Sequence, residues 1–440
     1  MHDISTDTLL KYDKQVPRYT SYPTAPFFKE MVEDVYIDAL KRFSKTKKPL
    51  SLYFHIPFCK SMCLFCGCTV VLNRKPERQS SYVDSLLNEI ELVCEHLGKR
   101  EVSQLHFGGG TPTNLSEKEF IILFKKIRQH FTLIENAEIS IEIDPRTVGD
   151  GKKLTFLRTL FNRVSFGVQD TSPVVQEAIR RRQSAVMSKK TVERARSLKF
   201  DSINVDLIYG LPHQTVESFR ETADDIIEMA PDRIALFSYA KVPWLKPHQK
   251  AIPDSALPST EEKFQIYREA RSRFIQAGYT AIGMDHFAKK GDALDIAYRE
   301  KRLHRNFQGY SLKLSEDMIG FGLSSIGFVQ GTYVQNTKGL KEYQSSVEEG
   351  RLPTQRGLVQ SAEDELRYKV IQRIMCDFEV QLDPTIFEKE LSSLREMPDL
   401  VEVEGNFVRV TPLGELFIRN VASIFDGYIS QNTKSYSRSI

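Results

Sequence analysis

Ile56-Pro-Phe-Cys-Lys-Ser-Met-Cys-Leu-Phe-Cys-Gly-Cys68 is the stretch from which the rest of the chain is read. Cys59, Cys63 and Cys66 form a C-x3-C-x2-C array, and Cys68 follows with one residue between. Four of the six cysteines fall here. Thiols this close rarely meet disulfide geometry, so they read as ligands. Two ligand types fit. A zinc knuckle could use four cysteines, although structural zinc sites usually draw on two separated pairs. An iron–sulfur cluster suits one continuous loop, since its ligands are thiolates.

Working outward, Leu50-Ser-Leu-Tyr-Phe-His-Ile56 reads as a strand that feeds the loop. A helix is expected over 79–97, with Tyr82, Val83, Leu86, Leu87, Ile90, Val93, Cys94 and Leu97 on one face and Gly98 at its end. Cys94 on that stripe reads as a buried, inert thiol. Further strands are expected at 102–107, 138–143, 162–167, 202–208, 233–239 and 279–284, with helices between most of them. The helix near 215–229 begins at Thr215 as N-cap. Strands alternating with helices imply an α/β fold with a parallel sheet, a full or partial (β/α) barrel. Its chemistry belongs at the C-terminal ends of the strands.

Those ends carry distinctive residues. Gly108-Gly-Gly-Thr-Pro-Thr113 follows the second strand, and three glycines let backbone approach a ligand closely. Glu142 closes the third strand, Gln169-Asp170 the fourth, and Ser238-Tyr-Ala240 the sixth. Asp206 lies on the fifth, where a carboxylate needs a partner or a wet cavity. Arg181 lies on the element after the fourth strand.

Three segments frame this unit. Residues 1–46 form an N-terminal arm containing Arg18-Tyr-Thr-Ser-Tyr-Pro-Thr24, and the catalytic unit spans 47–340. Its tract from Gly283 to Asn336 reads as loop-like, rich in His, Arg, Asn and Tyr. Residues 341–440 are expected to hold a polar linker over 341–360 and then a smaller helical domain. In that domain a helix over 361–378 turns Leu366, Val370, Ile371, Ile374 and Phe378 inward, with Cys376 off the stripe. A β-hairpin around Glu404-Gly405-Asn406 and a helix from Leu413 to Ile429 follow, a winged-helix-like set read as a lid or packing domain.

The chain has 440 residues, 41% hydrophobic and 27% charged, which reads as soluble and globular. A net charge of +3 argues against nucleic acid, and no apolar run approaches membrane-spanning length. The polar start and clustered thiols suit a reducing cytoplasm, and the lack of a coiled-coil pattern leaves a monomer as the default.

The C-x3-C-x2-C loop, with Phe65 before its third cysteine, resembles the radical S-adenosylmethionine enzymes. Further segments, among them Arg18–Thr24, His106–Thr113, Ser140–Arg146, Asn204–Thr215 and His304–Tyr310, resemble the oxygen-independent coproporphyrinogen III oxidases. The resemblance runs nearly the whole length. It implies a partial (β/α) barrel of the radical S-adenosylmethionine type, a [4Fe–4S] cluster and two S-adenosylmethionine molecules. It also implies a tetrapyrrole substrate, an electron donor and an unidentified electron acceptor. Carried over by motif, Cys59, Cys63 and Cys66 hold the cluster, with one iron left open. Tyr53, Gly109 and Glu142 meet the first S-adenosylmethionine. Phe65, Gly110, Thr111, Gln169, Arg181, Asp206, Ala240 and Ile326 meet the second. Cys68 is required without being an iron ligand, and Tyr19 and Tyr22 lie close to the substrate. Four substrate carboxylates need cations, for which Arg18, Arg302 and Arg305 are candidates. The alternatives on the same scaffold are a heme chaperone and an anaerobic heme-degrading methyltransferase. These generally lack the Cys68 position and the Arg18–Thr24 arm.

Overall fold

A computed structural model describes residues 6–149, 151–312, 315–429 and 436–439. Among them, thirteen strands join in one sheet. Its centre is parallel: β1 (Leu50–Ile56), β2 (Arg100–Gly109), β3 (Phe131–Ile143), β4 (Arg163–Gln169), β5 (Ser202–Tyr209) and β6 (Arg233–Ser238) pair in sequence order. Met318–Phe321 adds a further parallel strand beside β1. The sheet is open at both edges, so the architecture is a partial barrel.

The parallel strands are covered on both faces. In β1 every residue but Tyr53 is buried, which explains its nearly continuous apolar run. Phe54 stacks between Phe107 and Phe321, and Phe107 meets Phe120 and Phe124 from a covering helix and Phe161 from the turn before β4. Several helices start where a side chain caps them. Ser116 and Thr215 each close a capping box, the latter opening Val216–Met229. The expected helix over 79–97 runs Pro76–Leu97, and Gly98 ends it at φ 68°.

The edges depart from the expectation. The strand expected at 279–284 forms as Tyr279–Ile282, but it lies antiparallel at the sheet edge. Gly283, at φ 60°, reverses the chain, and His286–Lys289 inserts between it and β6. The rest of the tract to Asn336 is also not loop. Leu303–Asn306 and Gly309–Leu312 form a separate hairpin, and Ile326–Val329 and Thr332–Asn336 extend the sheet. The segment 341–360 is not a linker: it holds a helix, Leu340–Glu348, and the sheet strand Thr354–Val359. Lys29–Glu30 of the arm then pairs with that strand.

The C-terminal segment forms a second core with the arm. Val370, Ile371, Ile374, Phe387, Leu391, Val408 and Phe425 pack with Leu9, Tyr12, Tyr19 and Tyr22. The hairpin Val401–Glu404 and Phe407–Val410 gains a third strand, Glu379–Gln381. Leu366, expected inward, is 42% exposed. Cys376 is buried on another face of the same helix, against Ile282, Leu294, Leu303 and Tyr310, which explains its place off the main stripe. The helix expected from Leu413 to Ile429 is two short ones, Pro412–Leu416 and Ile418–Ser423, broken at Phe417. No helix among the described residues is long and apolar enough to cross a membrane.

Candidate active site

The cysteine loop leaves β1 at Ile56 and is gripped on one side by the end of β2. Gly110 donates its N–H to the Ile56 carbonyl at 2.8 Å, and Thr111 donates to Phe58 at 3.0 Å. A Cβ on Gly110 would stand 2.6 Å from the Pro57 carbonyl oxygen, so side chains are excluded there. The Cys59 sulfur lies 3.2 Å from the Thr111 hydroxyl. His55 Nε2 faces the Thr69 carbonyl at 2.9 Å, and a carbonyl only accepts. Nε2 therefore carries the proton and Nδ1 accepts from the Tyr53 hydroxyl at 3.0 Å. Burial lowers the His55 pKa, which favours this neutral form.

The far side of the loop is gripped by the segment after β6. Gln249 donates to the Phe65 carbonyl at 2.9 Å, His248 Nε2 to that of Cys66 at 2.8 Å, and Lys246 to that of Cys68 at 2.8 Å. Gln249 is fully buried, and its amide oxygen accepts from the Val242 N–H at 2.6 Å. The loop is thus held by side chains from a remote strand end.

Between these grips lies a cavity of about 690 Å³. Cys59, Cys63, Cys66, Cys68 and Phe65 line one wall; Gly109, Gly110, Thr111, Glu142, Gln169, Arg181, Asp206 and Ala240 contribute to the others. Every one of these was expected from the sequence. Gln169, at φ 74°, sits where the β4–β5 register shifts. Glu142 accepts from the Gly109 N–H at 3.0 Å and lies 3.3 Å from His106 Nε2. Burial opposes its ionisation, but His106 and the Gly109 N–H outweigh it and hold the carboxyl below its usual range. Asp206 goes the other way. Burial and the nearby Glu142 charge raise it to about 6, although Ser165 and Asn204 donate to it at 2.9 and 2.7 Å.

Cys63 faces two guanidiniums: Arg181 Nη1 lies 3.6 Å and Arg146 Nη2 3.9 Å from its sulfur. Both arginines also pair with Asp144, at 3.1 and 2.6 Å. Burial raises the Cys59 thiol to about 11. The Cys66 thiol is lowered, first by the hydrogen bond from Cys68, with Lys246 and Arg181 adding to it.

Other expected residues do not reach the cavity. Tyr53 stands behind the wall, bonded to His55 and stacked on His106 with centroids 5.9 Å apart. Ile326 lies in the sheet opposite Gln335, outside the lining. Tyr19 and Tyr22 are buried in the second core, outside the cavity lining, with their hydroxyls bonded to the C-terminal segment. Tyr19 donates to Asp426 at 3.1 Å, and Tyr22 accepts from the Gly427 N–H at 3.0 Å. Arg302 is exposed and paired with Glu300, and Arg305 is buried against Asp285. Of the three arginines considered, Arg18 alone lines the cavity. The residues missed were His106, Asp144, Arg146 and the Lys246–Gln249 grip. The first three lie within quoted segments, His106–Thr113 and Ser140–Arg146, so their place was marked though their contacts were not. The grip lies in an aperiodic stretch with no signal beyond following a strand end.

A parallel sheet whose strand ends carry a three-cysteine loop and a glycine cradle defines a radical S-adenosylmethionine protein. The sequence model of the Radical SAM superfamily matches residues 53–226. Oxygen-independent coproporphyrinogen III oxidase from Synechocystis is 42% identical over 459 residues, covering all of this chain and 98% of the relative. That from Escherichia coli is 40% identical over 438 residues, covering 96% and 95%. A solved structure of coproporphyrinogen III oxidase from Escherichia coli, titled a radical SAM enzyme, is 40% identical with TM-score 0.89. It covers 94% of this chain and all of that one. The chain belongs to the oxygen-independent coproporphyrinogen III oxidases.

The residues present fit the cluster and the sulfonium cofactor that this family implies. None of Cys59, Cys63 and Cys66 is in a disulfide, and all three line the cavity at the family spacing. Two guanidiniums face the Cys63 sulfur, and Arg181 Nε is buried without a partner. No three His, Cys, Asp or Glu side chains among the described residues converge on a single-ion site. Thiolates that each take a different iron need not converge so closely.

Proposed function

We propose that this chain converts coproporphyrinogen III to protoporphyrinogen IX without oxygen, in heme biosynthesis, turning the ring A and ring B propionates into vinyl groups with loss of carbon dioxide. The observation that carries this is the cavity itself, where three free thiols face Glu142 and Asp206 across a glycine cradle. When bound, the cluster and S-adenosylmethionine supply a 5'-deoxyadenosyl radical able to take hydrogen from a propionate β-carbon.

The chain's own residues bind, orient and exclude. Cys59, Cys63 and Cys66 would hold the cluster, with the Arg146 and Arg181 guanidiniums set beside the Cys63 sulfur. Glu142, held ionised by His106 and the Gly109 N–H, suits a ligand ammonium group. Asp206, fixed by Ser165 and Asn204, suits ligand hydroxyls. We assign Gly109 and Glu142 to one S-adenosylmethionine, with Tyr53 acting through His55. Phe65, Gly110, Thr111, Gln169, Arg181, Asp206 and Ala240 go to a second. Ile326, outside the lining, is left with the sheet. Cys68, on the wall yet outside the array, acts on substrate or proton rather than iron. Tyr19 and Tyr22 fasten the arm, which keeps Arg18 at the cavity. With the β-hydrogen taken as an atom, each vinyl group formed releases one carbon dioxide and one electron, the electron going to an acceptor, and the cluster needs a donor. The working form is a cytoplasmic monomer.

The test is an anaerobic incubation of reconstituted protein with coproporphyrinogen III and S-adenosylmethionine, read by mass spectrometry. Successive loss of two carboxyl groups is expected. Tight stoichiometric heme binding without turnover would replace this reading with the chaperone, and a methylated linear tetrapyrrole would replace it with the methyltransferase.

A further inference from the structure

Arg18 reaches the cavity from the arm and makes one side-chain hydrogen bond that fixes its direction, Nη2 to the Ser238 carbonyl at 2.8 Å. It lines a second, smaller cavity of about 30 Å³ as well, and Ser238 at the end of β6 is common to both. The surroundings are rich in buried cations. Burial lowers the pKa of Arg18, Arg419 and Lys263, and neighbouring cations add to it: Arg305 at Arg18, and Arg18 at both Arg419 and Lys263. Their side chains are otherwise engaged. Arg419 donates to the carbonyls of Pro17 at 3.0 Å, Arg438 at 2.8 Å and Ser437 at 3.0 Å. Lys263 donates to Tyr239 at 3.3 Å.

Asp285, the carboxylate that acts on Arg18, is already taken, and Asp13, which acts on Lys263, pairs with Arg438. Arg305 donates to both its oxygens at 3.3 Å, and His286 Nδ1 lies 2.7 Å from one of them. Arg305 also stacks its guanidinium 4.5 Å from the Tyr310 ring centroid. Buried cations in excess of carboxylates are costly until an anion joins them. Arg18 is the member of the cluster that lines the large cavity, Arg419 and Asp285 lining only the small one, and its planar fork matches a carboxylate.

We propose that Arg18, set by Ser238 at the junction of the two cavities, is the anchor for one propionate carboxylate of the tetrapyrrole. This rests on the proposed function. The small cavity has room for about two waters, enough for the anchored group to keep hydration while the ring system stays in the large cavity.

The test is equilibrium binding of coproporphyrin III, the oxidised and non-reacting form, to anaerobically reconstituted protein by fluorescence titration. Its tetramethyl ester serves as the uncharged control. The unsubstituted protein should bind the acid more tightly than the ester. Arg18→Gln should weaken the acid by about tenfold or more, the scale of a charge-assisted pair, and leave the ester unchanged. Arg18→Lys should restore part of the loss. Equal affinity of Arg18→Gln and unsubstituted protein for the acid would overturn the assignment. So would a parallel loss of acid and ester, which would make Arg18 a fastener of the arm alone. If the unsubstituted protein bound neither compound, the tetrapyrrole reading itself would fail and take the anchor with it.

Discussion

The two halves of the sheet handle buried polar groups in opposite ways. At the ends of β1 to β6, backbone is held in unusual geometry and charge is left facing space. Gly109 and Gln169 have positive φ, Asp206 is raised to about 6, and Arg181 Nε lacks a partner. In the half that follows Asn306, polar groups are spent internally. Glu89, on the helix Pro76–Leu97, accepts from the Gly322 N–H at 2.7 Å, Asn336 at 2.6 Å and the Tyr343 hydroxyl at 2.6 Å. That knot ties the helix to the antiparallel strands. Unpaired charge marks a ligand site, whereas charge with every bond made marks a joint.

Substitutions can break this contrast. Cys63→Ala should have the largest effect, removing cluster and S-adenosylmethionine cleavage together, read by iron content and 5'-deoxyadenosine release. Retained cluster would remove Cys63 from the ligand set. In the joint, burial raises the Glu89 carboxyl to about 7 from a usual 4.5. A raised carboxyl stabilises the fold most below the usual value and loses that contribution as pH rises through the folded one. Glu89→Gln should therefore flatten the fall in stability between about pH 4.5 and 7, a difference of about 3 kcal/mol, followed by thermal melting. Cofactor affinity should not change.

Glu142→Ala should do the reverse, weakening S-adenosylmethionine binding by about 10- to 100-fold with little change in melting. Gln249→Ala removes bonds to the Phe65 carbonyl and Val242 N–H, and should speed iron loss to a chelator by about tenfold. The smallest effect is expected at Leu366, exposed in the C-terminal segment. Leu366→Ser should shift stability by less than about 0.5 kcal/mol.

The parallel half was legible because its signals are local. A strand buried on both faces writes an apolar run, as in Leu50–Ile56, and Thr215 caps a helix with its own hydroxyl. The cysteine spacing and Gly108–Gly110 also lie within single loops. The antiparallel edges were not legible, because strands of four residues such as His286–Lys289 and Ile326–Val329 are too short to show any period. The contacts of Tyr19 and Tyr22 were hidden for a related reason. An aromatic arm looks ligand-facing until the partners that use its hydroxyls, Asp426 and Gly427, are brought from the other end of the chain. The grip of Lys246, His248 and Gln249 is likewise long-range in sequence.

The account depends on three thiolates holding a cluster with an iron open to a sulfonium ligand. The most direct measurement is the electron paramagnetic resonance spectrum of the anaerobically reduced protein, before and after addition of S-adenosylmethionine, with metal content on the same sample. The account predicts an iron-loaded protein whose spectrum shifts when the ligand is added. Zinc in place of iron, or a spectrum indifferent to the ligand, would contradict it.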